Sequence, residues 1–313
     1  MTLELKPFHP QFAAEASGVD PQFAAEASGV DPQFAAEASG VDLRQPLDAS
    51  TVAQIDTAMD KYAVLVFRGQ PLEQGEQVAL AKLFGPLDKG LRKASGAPTR
   101  FQHEELIDIS NVALDGSVAA PDNQKLIATL ANQLWHADST FQDVRVKYSM
   151  LSAVVVPGEG GETQWADLRA AWDALPEKTR RHVEGRTAWH SAFYSRFGLG
   201  DASYSEEQVK RMPSMERPLV HVHPGSGRKV LYPSVHCERV SGMSLPEGRL
   251  LIAELLKHAT QREFVYTHRW RAGDYVIWDN RATLHRGLRY DLSARRDLRR
   301  TTTLEREAAQ AAA

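Results

Sequence analysis

Two short stretches carry side chains able to hold a metal ion. Trp135-His136-Ala137-Asp138 sets an imidazole and a carboxylate two residues apart, and on a strand that spacing turns both to one face. Far downstream, Trp278-Asp-Asn-Arg-Ala-Thr-Leu-His285-Arg-Gly ends a strand-turn-strand pattern on a third candidate, His285. Taken singly, each is as readily an ordinary strand residue. Together, His136, Asp138 and His285 make the two-imidazole, one-carboxylate set that holds Fe(II) in non-haem oxygenases and leaves positions open for a chelating cosubstrate and O2. The same set can serve Zn2+ in a hydrolase, but the chain has no helical His-Glu-X-X-His to supply a glutamate base.

Anion-binding chemistry follows the third candidate. In Arg295-Arg-Asp-Leu-Arg-Arg300, strand parity puts Arg296, Leu298, Arg300 and Thr302 on one face and Arg295, Asp297 and Arg299 on the other. Two guanidinium groups on the inner face could each grip a carboxylate bidentately. Without the metal set, the same run reads as a solvated basic edge strand. Gly160-Gly-Glu-Thr163 adds a hydroxyl able to hydrogen-bond such a carboxylate.

The elements that must position these residues are short. A helical pattern runs from Asp48 to about Lys61, with Val52, Ile55 and Met59 on one face, and Leu72–Phe84 reads as a second helix. Ala63–Phe67 and Tyr148–Val156 read as strands. Ala166–Leu175 and Pro176–Glu184 read as helical pieces split at a proline. Leu219–His223 and Lys229–Tyr232 flank Pro224-Gly-Ser-Gly, a hairpin signal, and Glu263–Trp270 and Asp274–Trp278 flank Arg271-Ala-Gly, read as another. Ser244-Leu-Pro-Glu opens a helix over Leu245–Ala259, and Leu298–Leu304 is the last strand. Arg92–Asp122 is long and irregular, a stretch expected to act as a lid. The pattern predicts a mainly β chain with peripheral α-helices, a β-sandwich or a jelly roll.

At this point the chain resembles the Fe(II)/2-oxoglutarate-dependent dioxygenases of the taurine dioxygenase family. The resemblance runs over about residues 43–304 through LVFRGQPL, ANQLWHADSTFQ, YSMLSAVVVP, ADLRAAWDALP, LIAELLKHATQREFVY, WDNR, LHRG and LRYDLSARRDLRR. It implies a double-stranded β-helix, a cupin-like jelly roll closed around the metal. It implies that His136, Asp138 and His285 hold Fe(II), that Arg296 with Thr163 binds 2-oxoglutarate, and that Arg300 holds the carboxylate of the primary substrate. His223, His236 and Asn132 fall at positions resembling substrate-pocket residues. O2 is then the second cosubstrate and ascorbate an activator. The substrate implied is an aromatic acid of the aryloxyalkanoate class, cleaved to a phenol and glyoxylate, with a sulfonate or a cinnamate-like acid as the alternative. The family also implies a homo-oligomer.

Composition agrees with an enzyme of this kind. The 313 residues carry a formal net charge of −3, 42% hydrophobic and 25% charged residues, ordinary values for a globular protein. An acidic balance argues against a nucleic-acid partner, and no apolar run is long enough to span a membrane. The first residues lack a signal-peptide pattern, and a lone Cys237 cannot form an internal disulfide, so a cytoplasmic location is expected.

The N-terminal segment 1–42 is unusual. PQFAAEASGVD occurs three times without a gap, at Pro10–Asp20, Pro21–Asp31 and Pro32–Asp42. Eleven residues is too short for the usual solenoid units. One copy is expected to fill one structural slot while two loop out, beside a single domain over 43–304 and a frayed tail over 305–313. Deleting two copies should leave turnover intact; a folded but inactive deletion variant would sink that expectation.

Overall fold

The computed structural model describes residues 3–7, 34–88, 98–120, 122–201 and 203–305. Its strands are β1 (Glu4–Pro7), β2 (Ala36–Ser39), β3 (Val64–Phe67), β4 (Ile107–Ser110), β5 (Val146–Val155), β6 (Thr163–Asp167), β7 (Thr187–His190), β8 (Met215–Pro218), β9 (Val220–Val222), β10 (Lys229–Leu231), β11 (Cys237–Val240), β12 (Val265–His268), β13 (Tyr275–Asp279), β14 (Thr283–Gly287) and β15 (Asp297–Leu304). Seven of them form one sheet in the order β1-β2-β3-β13-β5-β15-β4, and β12-β6-β14 form a second. The sheets β11-β7-β8 and β10-β9 complete the β layer. Of the two architectures that the strand pattern allowed, this is the jelly roll, the one the resemblance implied.

The central strands read as continuous apolar runs because both faces are covered. Val64, Leu65, Val66 and Phe67 are all fully buried. Leu65 and Phe67 pack with Ile55 and Met59 of the helix Ala49–Tyr62, whereas Val64 and Val66 pack with Trp165 and Trp278 inside the roll. Asp48 starts that helix by accepting a hydrogen bond from Thr51 N at 2.7 Å.

Several boundaries differ from the sequence reading. Ala166 and Asp167 belong to β6, and the helix begins only at Leu168. Asp167 stops the strand because its carboxylate accepts from Arg169 N and pairs with the Arg169 side chain, all buried. Glu263 lies in a 3-10 turn before β12. The Arg271-Ala-Gly turn is not a hairpin. β12 pairs with β6, whereas β13 pairs with β3 and β5. The turn therefore carries the chain from one sheet to the other, anchored by Asp274, which accepts from Arg271 N and from Arg68. The irregular stretch holds β4, which pairs with β15 at the sheet edge; residues 89–97 lie outside the described ones.

The third repeat copy supplies β2. Phe34, Ala36, Ala38 and Val41 are buried, and β2 pairs antiparallel with β1 and parallel with β3. The first two copies and the tail beyond Glu305 lie outside the described residues. No described helix is long and apolar enough to cross a membrane.

Candidate metal centre and its cavity

Backbone pairing brings the two histidines together. β14 pairs with β6 so that His285 sits opposite Trp165. On its other side, His285 forms an antiparallel bridge with His136. Both hydrogen bonds of that bridge are made: His136 N donates to His285 O at 3.0 Å, and His285 N donates to His136 O at 2.7 Å. Cross-strand neighbours share a face, and the two imidazole centroids lie 4.2 Å apart. Ala137 points the other way into the core, so Asp138 returns to the face of His136. His136 Nε2 lies 4.0 Å from Asp138 Oδ1, and His285 Nε2 lies 3.8 Å from Asp138 Oδ2. One ligand atom from each of the three lies within 4.8 Å of the others, and all three residues are buried.

The protonation chemistry fits a divalent metal. Burial pushes the pKa of both His136 and His285 below the usual imidazole value, so both rings are neutral near pH 7, as ligation requires. His136 Nδ1 lies 2.7 Å from Leu134 O, which places the ring proton there and leaves Nε2 as the donor atom. Burial alone would raise the Asp138 pKa. Arg300, His285, His136 and a hydrogen bond from Ser149 outweigh it and hold the carboxyl far below the usual range. Two neutral nitrogens and one ionised oxygen around one point are a metal-ligand set.

A frame of buried polar groups aims Asp138. Ser149 Oγ donates to Asp138 Oδ2 at 2.6 Å, and Asn280 Oδ1 accepts from Asp138 N at 3.0 Å. Asn280 is itself fixed by Trp278 Nε1 and by its own Nδ2 on Ser149 Oγ. The carboxylate thus reaches the site in one orientation. Sequence reasoning missed Ser149 and Asn280 in this role. WDNR was legible as a motif, but not which of its residues faces Asp138.

A cavity of about 160 Å³ opens from the centre, and His136, His285, Thr163, Asn132, Arg296 and Arg300 all line it. Arg296, one residue before β15, and Arg300 within it are placed as the alternation expected. Arg296 and Arg300 face the cavity, while Arg299 turns to the opposite side and donates to Gln77 Oε1. Arg296 is 7% exposed and has no carboxylate partner among the described residues. Its Nη1 donates to Ile109 O at 3.3 Å and its Nη2 to Gly161 O at 3.1 Å, while Nε has no acceptor. Tyr290 lies beneath the guanidinium at 5.4 Å. A buried cation held only by carbonyl dipoles is a receptor for an anion. Gly161 lets it lie so close: φ is +74° and a Cβ would fall 3.1 Å from Arg296 Nε. Thr163 Oγ1 accepts from Trp270 Nε1 at 3.0 Å, which frees its own proton for a ligand oxygen. Leu126, Ile127, Leu130, Leu288 and Leu292 form an apolar wall. Leu126 and Ile127 come from the helix Gln124–Thr129, just past the stretch read as a lid.

His223 and His236 do not line the cavity, contrary to the sequence expectation. His223 Nε2 lies 3.0 Å from Asp279 Oδ2, and its Nδ1 accepts from Ser226 N. Asp279 also pairs with Arg281 at 2.6 and 2.9 Å, so this group is a closed ion-pair network. His236 packs edge-on against the His136 ring, with centroids 5.9 Å apart, and against Phe141.

Two further histidines, buried His190 and half-buried His221, make stability pH-dependent. Burial pushes His190 and His221 down to about 3. Unfolded, each takes a proton near pH 6.5; folded, each stays neutral until about pH 3. The unfolded state therefore binds more protons below pH 6.5, and stability falls with pH through that window. By pH 5 each histidine costs ~2 kcal/mol. The melting temperature should drop between pH 7 and pH 5, and less in a His190→Gln variant. An unchanged drop in that variant would remove His190 from the account.

Comparison with known proteins agrees with this geometry. Residues 26–302 match the profile of the taurine catabolism dioxygenase TauD, TfdA family. An alpha-ketoglutarate-dependent 2,4-dichlorophenoxyacetate dioxygenase of Cupriavidus pinatubonensis is 55% identical over 97% of this chain and 99% of its own. An (S)-phenoxypropionate/alpha-ketoglutarate-dioxygenase of Sphingobium herbicidovorans is 38% identical over 80% of this chain and 85% of its own. Among solved structures, AAD-2 in complex with Mn(II) and N-oxalylglycine superposes with a TM-score of 0.83 at 43% identity, covering 87% of this chain and 94% of that one. The jelly roll, the buried His136–Asp138–His285 centre and a match along nearly the whole chain lead to one conclusion: this protein belongs to the TauD/TfdA family of 2-oxoglutarate-dependent dioxygenases.

Proposed function

We propose that this enzyme uses Fe(II), 2-oxoglutarate and O2 to hydroxylate the carbon next to the carboxylate of an aryloxyalkanoate such as 2,4-dichlorophenoxyacetate. The observation that carries the reading is a pair of arginines on one side of the chain, Arg296 just before β15 and Arg300 within it. Arg296 and Arg300 both open onto the cavity beside the metal ligands and an apolar wall. Two anion clamps and one apolar wall suit two acids, one of them carrying a ring. The relatives named for 2,4-dichlorophenoxyacetate and (S)-phenoxypropionate support the same substrate class.

His136, Asp138 and His285 would hold Fe(II), whose chemistry when bound with 2-oxoglutarate is O2 activation and C–H hydroxylation, yielding succinate and CO2. Arg296 binds the far carboxylate of 2-oxoglutarate, and the Thr163 hydroxyl donates to it. Arg300 grips the carboxylate of the aromatic acid and so aims the neighbouring carbon at the metal. Asn132 lines the acid's side of the cavity, and the leucine wall excludes water from the ring. Hydroxylation of that carbon gives a hemiacetal, which collapses to a phenol and glyoxylate. Ascorbate would sustain turnover by keeping the iron reduced. A cytoplasmic homo-oligomer fits the family and the lone buried Cys237.

The test is product release from protein given Fe(II), ascorbate, 2-oxoglutarate, O2 and 2,4-dichlorophenoxyacetate. Succinate and phenol should appear one for one. Succinate that ignores the aryloxyacetate would redirect the search to a sulfonate or a cinnamate-like acid. No succinate with bound Fe(II) would overturn the reading.

A further inference from the structure

The guanidinium assigned above to the aromatic acid is already in contact with a metal ligand. Arg300 Nη1 lies 2.5 Å from Asp138 Oδ1, the oxygen that also faces His136 Nε2 at 4.0 Å. Asp138 has no other cationic partner among the described residues, and its second oxygen is taken by Ser149. The Arg300 Nε atom is buried with no acceptor. Its Nη1 thus rests on the metal's carboxylate while Nε has no acceptor.

We propose that Arg300 couples the metal to the substrate's carboxylate, so that an acid in the cavity strengthens metal binding and a neutral analogue does not. The proposal rests on the reading that Arg300 anchors the acid. Asp138 divides its charge between Arg300 and a metal cation, and the guanidinium also repels that cation at close range. A carboxylate placed on Arg300 offsets its charge and draws its hydrogen bonding away from Asp138. The carboxylate ligand then serves the metal more fully. Linkage makes the effect reciprocal: the metal must tighten the acid by the same factor. Selectivity for acids is thereby built into the metal centre itself. A neutral ring compound of the same shape fills the apolar wall but leaves Arg300 on Asp138.

The test measures binding rather than turnover. The Mn(II) dissociation constant is determined by electron paramagnetic resonance for the full chain without 2-oxoglutarate, in three states: alone, with saturating 2,4-dichlorophenoxyacetate, and with its methyl ester. Acid binding is followed separately by ligand-observed nuclear magnetic resonance. The acid should tighten Mn(II) about tenfold and the ester should leave it unchanged. Arg300→Met should bind Mn(II) about tenfold more tightly than the parent with nothing added, and the acid should no longer matter. If the acid binds the parent protein but Mn(II) affinity does not move, the coupling is wrong while the anchoring role of Arg300 stands. If the acid does not bind at all, the anchoring role fails, and Mn(II) affinity in Arg300→Met alone decides whether Arg300 competes for Asp138. Should that variant not fold, the comparison of acid with ester in the parent protein decides the matter.

Discussion

Asp138→Ala should bind Mn(II) or Fe(II) at least about 100-fold more weakly and lose detectable succinate formation. Asp138 supplies the only anionic ligand of the set, and no other carboxylate joins it among the described residues. The loss should exceed that of Ser149→Ala, which removes only a hydrogen bond to Asp138 Oδ2 and should cost roughly 10- to 100-fold. Asp138→Ala also strips Arg300 of its carboxylate partner, so the variant should melt earlier than Asp138→Asn, which keeps a hydrogen-bond acceptor there. Equilibrium dialysis against Mn(II), with melting curves for the three variants, checks both statements. Near-parental metal affinity in a folded Asp138→Ala would remove Asp138 from the centre.

The centre was legible because its ligands obey short-range rules. Asp138 returns to the face of His136 two residues past its bridge, and Arg296, just before β15, and Arg300 within it share a side despite a register shift where β15 meets β5. That shift adds its extra residue on β5, where Val154 turns outward and stays 43% exposed. Parity along β15 is therefore untouched. What the sequence could not show is long-range pairing. The bridge between His136 and His285 joins segments far apart in the chain, and nothing local announces it. The same holds for Asn280 and Ser149, whose roles depend on β13 lying beside β5. His223 lies away from the cavity for a related reason. Its pocket role came from the resemblance alone, and nothing local announces that Asp279, brought in from β13, lies against it. The Arg271-Ala-Gly turn failed because turn residues reveal that the chain reverses and not which sheet receives the next strand.

The two arginines give the sharpest functional separation. Arg296→Ala should raise the 2-oxoglutarate requirement by roughly 30- to 3,000-fold while the aryloxyacetate KM stays within a fewfold. The range follows from ~2–5 kcal/mol for losing one partner of a buried charge pair, at ~1.4 kcal/mol per tenfold. The cost belongs at the high end for Arg296, because the residue is buried and its donors are already aimed by Ile109 O and Gly161 O. Arg296→Lys should rescue little, since a point charge cannot reproduce the fork. Arg300→Ala should do the reverse, raising the aryloxyacetate KM and sparing 2-oxoglutarate. It should also raise the share of succinate formed without phenol, because the acid's carbon is no longer held toward the metal. Steady-state kinetics with each cosubstrate varied in turn would show it. Effects appearing in the opposite order would exchange the two assignments, and with them the side of the cavity from which the aromatic ring approaches.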